Sequence, residues 1–185
     1  MNKPSFKTLF AAGLAGGLIF ANLAASAADA LPAPMQAKVE TYKKKLVEWA
    51  ANPVIVAAVK EANAKGSLAG MTNGKWNDLD DKDLAVMASQ TNKAGVLVGK
   101  WEEDMSINKL LVRDEKGNLV AASSKPLLYN NAARPPFAMP FKGQVWGASE
   151  IKADPTTGTK SVQAGSPVMD GGKVIGVIHA GITAE

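Results

Sequence analysis

The polar residues that could do chemistry in this 185-residue chain are few, and their spacing decides more than their number. There is no Cys and a single His, His179. Disulfide frameworks, thiolate metal sites, iron–sulfur clusters and covalent haem are thereby excluded, and no imidazole cluster can hold a metal. Ser106-Ile107-Asn108-Lys109 has the spacing of a Ser-x-x-Lys nucleophile but lacks its companion motifs. Asp78, Asp80, Asp81 and Asp83 fail as a calcium loop, because Asp83 stands where Gly is needed and Ser89 where Glu is needed. They read instead as acidity at a helix start. Gly95 to Lys100 is one residue short of a phosphate loop, with Trp101 in place of the metal-binding hydroxyl. Ser166 has no nucleophile elbow around it, and His179 has no serine and acid partner arranged by sequence. No catalytic residue, metal or cofactor is expected, and the chain reads as a binder rather than an enzyme.

What remains are residues suited to holding a solute. Tyr129, Arg134, Phe137 and Trp146 set aromatic surface around one of only two arginines, whose planar fork suits a carboxylate. The plainer reading leaves Arg134 exposed on a Pro-rich loop. Arg113 follows an apolar run and precedes Asp114, which suggests a pair within a hairpin. His179 is either a satisfied core histidine or a hydrogen-bond donor to a ligand. With Ser166, these give six candidate ligand-binding residues: Tyr129, Arg134, Phe137, Trp146, Ser166 and His179.

The N-terminal residues have a different task. Lys3 and Lys7, an apolar run from Leu9 to Leu23, and Ala25-Ser26-Ala27 have the order of a secretory signal peptide, with cleavage expected after Ala27. Removing 1–27 takes two lysines and lowers the net charge from +4 to +2. That is too weak for a nucleic-acid partner to be expected. Residues 28–34 read as a flexible leader, 35–185 as one domain, and the location as periplasmic or secreted.

The elements that must position the candidate residues follow from periodicity. Val39, Tyr42, Leu46 and Trp49 recur at helical spacing. That face either packs on a sheet or, through the 35–62 helix, pairs with a second copy. Asn52-Pro53 starts a second helix that runs to Gly66, and Asp80 is expected to cap another. Past Lys109 the pattern turns to strands: 109–114 and 119–122 around Glu115-Lys116-Gly117-Asn118, then 144–153, 159–168 and 173–183, with turns at 154–158 and 170–172. Residues 123–142, with four prolines, form the crossing segment between the two groups. His179 should share a strand face with Ile175, Val177 and Gly181.

The phrases Leu111-Val112-Arg113-Asp114-Glu115-Lys116-Gly117-Asn118-Leu119-Val120-Ala121-Ala122-Ser123 and Gly165-Ser166-Pro167-Val168-Met169-Asp170-Gly171-Gly172-Lys173-Val174-Ile175-Gly176-Val177, behind a long helix, resemble the Cache family of extracellular sensors. The resemblance covers nearly all of 35–185. It implies an α+β, PAS-like fold in which a long N-terminal helix packs on a five-stranded antiparallel sheet. A small-molecule pocket then lies on the opposite face, under the crossing segment. The family usually implies a receptor with transmembrane and cytoplasmic signalling segments, from which this chain departs; with Arg134 as the candidate anion clamp, the expected function is a stand-alone sensor for a small organic anion such as a carboxylate, reporting to a partner such as a membrane receptor. The alternative is a dimeric interaction module with a vestigial pocket. The chain lacks the Tyr-x-Arg signature of amino-acid sensors in this family, and it ends at Glu185, directly after the last expected strand.

Overall fold

The computed structural model describes residues 30–66 and 68–184. The expected cleavage after Ala27 lies outside these residues. Helix α1 (Ala33–Ala50) begins with Pro34 in its first turn and buries Met35, Val39, Tyr42, Leu46 and Ala50 on one stripe. Steps of four, three, four and four residues keep these side chains on one face. That stripe belongs to the chain's own core. Of the face expected to pair two copies or pack on the sheet, Val39, Tyr42 and Leu46 are buried in this core, while Trp49 is only partly buried. Asn52 caps α2 (Pro53–Lys65) by accepting the Val54 N–H at 2.9 Å, and Ile55 and Val59 are fully buried.

Three shorter helices follow: α3 (Asn73–Asp78), α4 (Leu84–Thr91) and α5 (Lys93–Glu102). The cap of α4 is Asp83, not Asp80, because the carboxylate of Asp80 is spent on the Lys82 N–H at 2.7 Å in the preceding turn. Asn92 caps α5 through the Gly95 N–H, and its amide also reaches the Val120 carbonyl. The glycine-spaced run 95–100 is thus the body of a helix. Gly95 is needed there for packing, since a Cβ would lie 2.4 Å from the Ser89 carbonyl oxygen.

The sheet contains β1 (Ile107–Arg113), β2 (Leu119–Ala122), β3 (Trp146–Gly147), β4 (Lys152–Ala153), β5 (Lys160–Asp170) and β6 (Lys173–Thr183). Its order is β2-β1-β6-β5-β3, all antiparallel, with β4 also paired to β5. This is the PAS-like, α+β arrangement that the resemblance implies. The single strand expected over 144–153 is two short ones. Gly147 pairs with Ala164 and Lys152 with Ser161, and the Ala148 N–H still reaches the Gln163 carbonyl at 2.8 Å, so the extra residues that interrupt the ladder fall at 149–151.

Strand alternation divides the sheet into two faces. Leu110 and Val112 of β1, Val162, Ala164 and Val168 of β5, and Ile178, Ala180 and Ile182 of β6 join the core under α1 and α2. Leu111, Arg113, Gln163, Gly165, Val177, His179 and Gly181 fall on the other face by the same period. Ile175, expected beside His179, instead joins the helix-side core, next to the register shift at Val168/Met169. Over the second face runs the crossing segment with α6 (Pro135–Ala138) and a 3-10 turn (Pro140–Lys142). Gly165 admits it closely: a Cβ there would stand 2.9 Å from Pro140 Cγ and 3.0 Å from the Pro136 carbonyl oxygen.

Candidate functional site

Between that second face and the crossing segment lies a cavity of about 380 Å³, walled by β1, β6, the β4–β5 turn and residues 126–136. Arg134 and His179 both line it, so two of the six expected residues meet there. The other four line other surroundings. Tyr129 is buried beside Trp76 and Val86, with its hydroxyl accepting the Leu68 N–H at 2.9 Å. Phe137 is buried and stacks on Phe141, their ring centres 5.1 Å apart. Trp146 is half-buried on β3, paired with Gly165 at the sheet edge. Ser166 is even-numbered on β5, so the period of two places it with Val162, Ala164 and Val168 on the helix side, where its hydroxyl reaches only the Pro167 carbonyl at 3.4 Å.

The centre of the site is Arg113. It is 1% exposed, and among the described residues its guanidinium forms no ion pair. The Asp114 carboxylate beside it is occupied by the turn, accepting from the Lys116 and Asn118 backbone N–H groups and the Asn118 amide. The hairpin pair expected from sequence does not form. Arg113 donates instead from Nη1 to the carbonyls of Gly117 and Tyr129, from Nη2 to that of Leu128, and from Nε to His179 Nε2 at 2.9 Å. Burial pulls its pKa down to about 9, against the pull of Asp114, so the charge is costly yet present at neutral pH. Burial first, and then the Arg113 charge, push His179 well below its ordinary value, so the imidazole is neutral.

A second device shapes the floor. Lys109 has φ +65°, the only positive φ of a non-glycine residue among those described, and the pairing of β1 with β6 shifts register between Asn108 and Leu110. This is a β-bulge, which strengthens local twist and re-aims side chains. Both Asn108 and Lys109 consequently line the cavity. Lys109 Nζ bonds Asp154 Oδ1 at 3.3 Å and the Thr156 hydroxyl, and Asn108 Oδ1 accepts from the Thr157 hydroxyl at 3.1 Å. The β4–β5 turn is thus tied to β1 across the cavity mouth. Asp154 would be raised by burial, but its hydrogen bonds to Thr156 and Thr157 and the Lys109 charge lower it overall.

Among the described residues, four buried side-chain polar atoms have no partner: Asn108 Nδ2, Asn131 Oδ1, His179 Nδ1 and Ser161 Oγ. Three of those residues line this one cavity. Unpaired buried polar groups cost about 1–3 kcal/mol each, so their convergence calls for something to pair with. A larger cleft of about 840 Å³, between α2, the α4–α5 junction and β2, contains none of them. The walls of the smaller cavity carry Lys109, Arg113, Arg134 and Lys152 against the single carboxylate of Asp154. Sequence reasoning missed Asn108, Lys109, Arg113 and Asn131. The parity of Arg113 and His179 on neighbouring strands was available as a signal, whereas the bulge at Lys109 had none, because no glycine marks it.

No protein-family profile matches the chain, and no curated protein matches it. Solved structures do. The sensor domain of the V. cholerae histidine kinase DctB aligns at 20% identity and TM-score 0.41, covering 81% of this chain and 57% of that one. The ligand-binding domain of the Pseudomonas aeruginosa amino acid chemoreceptor PctC, in complex with GABA, aligns at 13% and 0.46, covering 82% and 56%. That of the Campylobacter jejuni chemoreceptor Tlp3, in complex with L-norvaline, aligns at 12% and 0.43, covering 80% and 60%. The chain spans somewhat more than half the length of each of these solved domains.

Proposed function

We propose that this protein is a non-catalytic sensor module that captures a small organic anion, a carboxylate in the first instance, in the cavity between the sheet and the crossing segment. The observation that carries the reading is Arg113. Lys109 and Lys152 of this wall are paired with Asp154 and Glu150, but the buried Arg113 guanidinium and Arg134 have no ion-pair partner among the described residues, which leaves positive potential to be neutralised by a ligand. The volume of about 380 Å³ suits a compact solute and not a polymer. Export by the N-terminal leader and a partner that reads occupancy complete the proposal.

The test is thermal melting across small carboxylates, amino acids, amines and uncharged aromatics. A ligand at one hundred times its dissociation constant adds about 2.7 kcal/mol to stability. Carboxylates should raise the melting temperature in proportion to the logarithm of concentration. Stabilisation by amines alone, or by nothing in the panel, overturns the reading.

A further inference from the structure

Two of the unpaired atoms in the cavity have their hydrogen-bonding sense fixed by what the rest of the side chain does. Guanidinium nitrogens only donate, so the 2.9 Å contact from Arg113 Nε makes His179 Nε2 the acceptor. In a neutral imidazole the proton then sits on Nδ1. Nδ1, in a residue 3% exposed, has no partner among the described residues. In the same way, Asn108 Oδ1 is engaged by the Thr157 hydroxyl, whose own oxygen already accepts the Thr159 N–H at 3.2 Å. This leaves Asn108 presenting its amide nitrogen, also buried and also unpaired. His179 pairs with Leu111 across β1 and β6, and Asn108 with Gly181, two residues further along β6. The two free donors therefore stand diagonally on one face of adjacent strands.

The geometry points to His179 as an obligate neutral hydrogen-bond donor to the ligand, held in its Nδ1–H form by Arg113 and working with Asn108 Nδ2, so that an acceptor-only group such as a carboxylate is selected over its amide. Arg113 is on this account a positioning residue: it acts through the imidazole while its other nitrogens hold main-chain carbonyls. The inference rests on the anion-binding reading for its ligand, but its tautomer half concerns the unliganded protein. Arg113 is bonded to His179, and the polar groups that share the cavity wall with it are Asn108 and Lys109 from β1, Gln163 from β5, Lys152 and Asp154 from β4 and its turn, and Arg134 and Asn131 from the crossing segment. Apart from His179 itself, no side chain among them is of a type that titrates between about pH 5.5 and 8.

Because the chain holds one histidine, protein labelled with ¹⁵N-histidine and carrying no added histidine tag gives a single imidazole to observe. The expected spectrum has a protonated Nδ1 and a bare Nε2, unchanged over that pH range. Arg113→Lys keeps the charge but cannot place a donor as Nε does, and should release the imidazole into a mixture of tautomers. Arg113→Gln is the second variant should the first not fold. With propionate and succinate as probes and propionamide as the control, the Nδ1 proton should shift on titration with the acids only. Asn108→Asp, which keeps the acceptor for Thr157 and replaces the donor, should lose about tenfold or more in affinity for both acids. An imidazolium, a bare Nδ1, equal binding of propionamide, or undiminished affinity in Asn108→Asp overturns the inference even where carboxylates bind. Absence of any carboxylate binding in the melting panel removes the functional reading and the ligand half with it, whatever the tautomer.

Discussion

Lys109 offers the most searching test of the geometry, because two opposed contributions meet in one residue. Its φ of +65° costs an L-residue about 1–2 kcal/mol, a cost glycine escapes. Its ammonium, in a side chain 7% exposed, ties the β4–β5 turn through Asp154, itself 13% exposed. Breaking a buried pair by deleting one member costs about 3–5 kcal/mol when the other is left uncompensated. In Lys109→Ala, Asp154 retains the N–H groups of Thr156 and Thr157 and the Thr156 hydroxyl. The loss should then be only about 1–2 kcal/mol. Asp154→Ala leaves the ammonium buried with the Thr156 hydroxyl and also dismantles the turn, so about 3 kcal/mol should go. Lys109→Gly removes the same pair as Lys109→Ala but relieves the backbone. After subtracting about 0.5–1 kcal/mol for the greater freedom of glycine in the unfolded chain, it should be more stable than Lys109→Ala by about 0.5–1 kcal/mol. Urea unfolding of the three variants, with matched m-values, reads the order directly. If Ala equals or exceeds Gly at this position, the left-handed bulge is wrong, and with it the account of how Asn108 and Lys109 both reach the cavity.

Asp104 would be raised by burial, but bonds from Tyr42, Lys45 and the Ser106 N–H hold it at about 2, below the unfolded 3.8, so its stabilisation is present above pH 3.8 and is lost as pH falls through about 2. With the side chain 32% exposed, solvent screening reduces this to about 1 kcal/mol, and Asp104→Asn should flatten the acid limb of a urea–pH series by that amount; an unchanged limb refutes it. Gly165→Ala should cost about 1–3 kcal/mol in chemical denaturation and weaken carboxylate binding, because the new methyl meets Pro140, Pro136 and the Cβ of His179; a neutral substitution would mean the crossing segment is not seated as described. Arg134→Ala, at an exposed position, should leave stability within about 0.5 kcal/mol and lower carboxylate affinity only severalfold in calorimetric titration, as an exposed charge does; a loss beyond about thirtyfold would make it the principal clamp.

The parts of this architecture legible in the sequence are those fixed by local periodicity. Val39, Tyr42 and Leu46 reveal the buried stripe of α1, and Asp170-Gly171-Gly172-Lys173 reveals the β5–β6 turn, where both glycines have positive φ. Helix α5 is masked because Gly95 and Gly99 interrupt its pattern, although Gly95 serves packing against the end of α4. In the site, His179 and Arg134 are recognisable by type, but Tyr129, Phe137 and Trp146 suggest a pocket only through being aromatic on one segment. Tyr129 and Trp146 turn toward Trp76 and Gly165, 53 and 19 residues away, at separations that periodicity does not encode, while Phe137 stacks on Phe141 four residues on rather than entering the cavity. Arg113 suggests a local pair with Asp114 because sequence adjacency hides the competing claim of the turn on that carboxylate.

The two faces of the sheet are held by different means, and this bears on how a solute enters. One face is sealed by side chains such as Leu46, Ile55 and Val59, all fully buried, whose separation from the strands would amount to global unfolding. On the other, the Leu128 carbonyl hangs on the Arg113 guanidinium, the Tyr129 carbonyl is shared between Arg113 and the Leu119 N–H, and the turn at 154–158 is tied to β1 by one ammonium and one carboxamide. Such fastenings can be exchanged for water one at a time. The turn at 154–158, with no buried apolar anchor of its own, is thus the part of this wall that opens at least cost, and its amides should exchange with deuterium faster than those of β1, β5 and β6 and slow selectively when the cavity is filled.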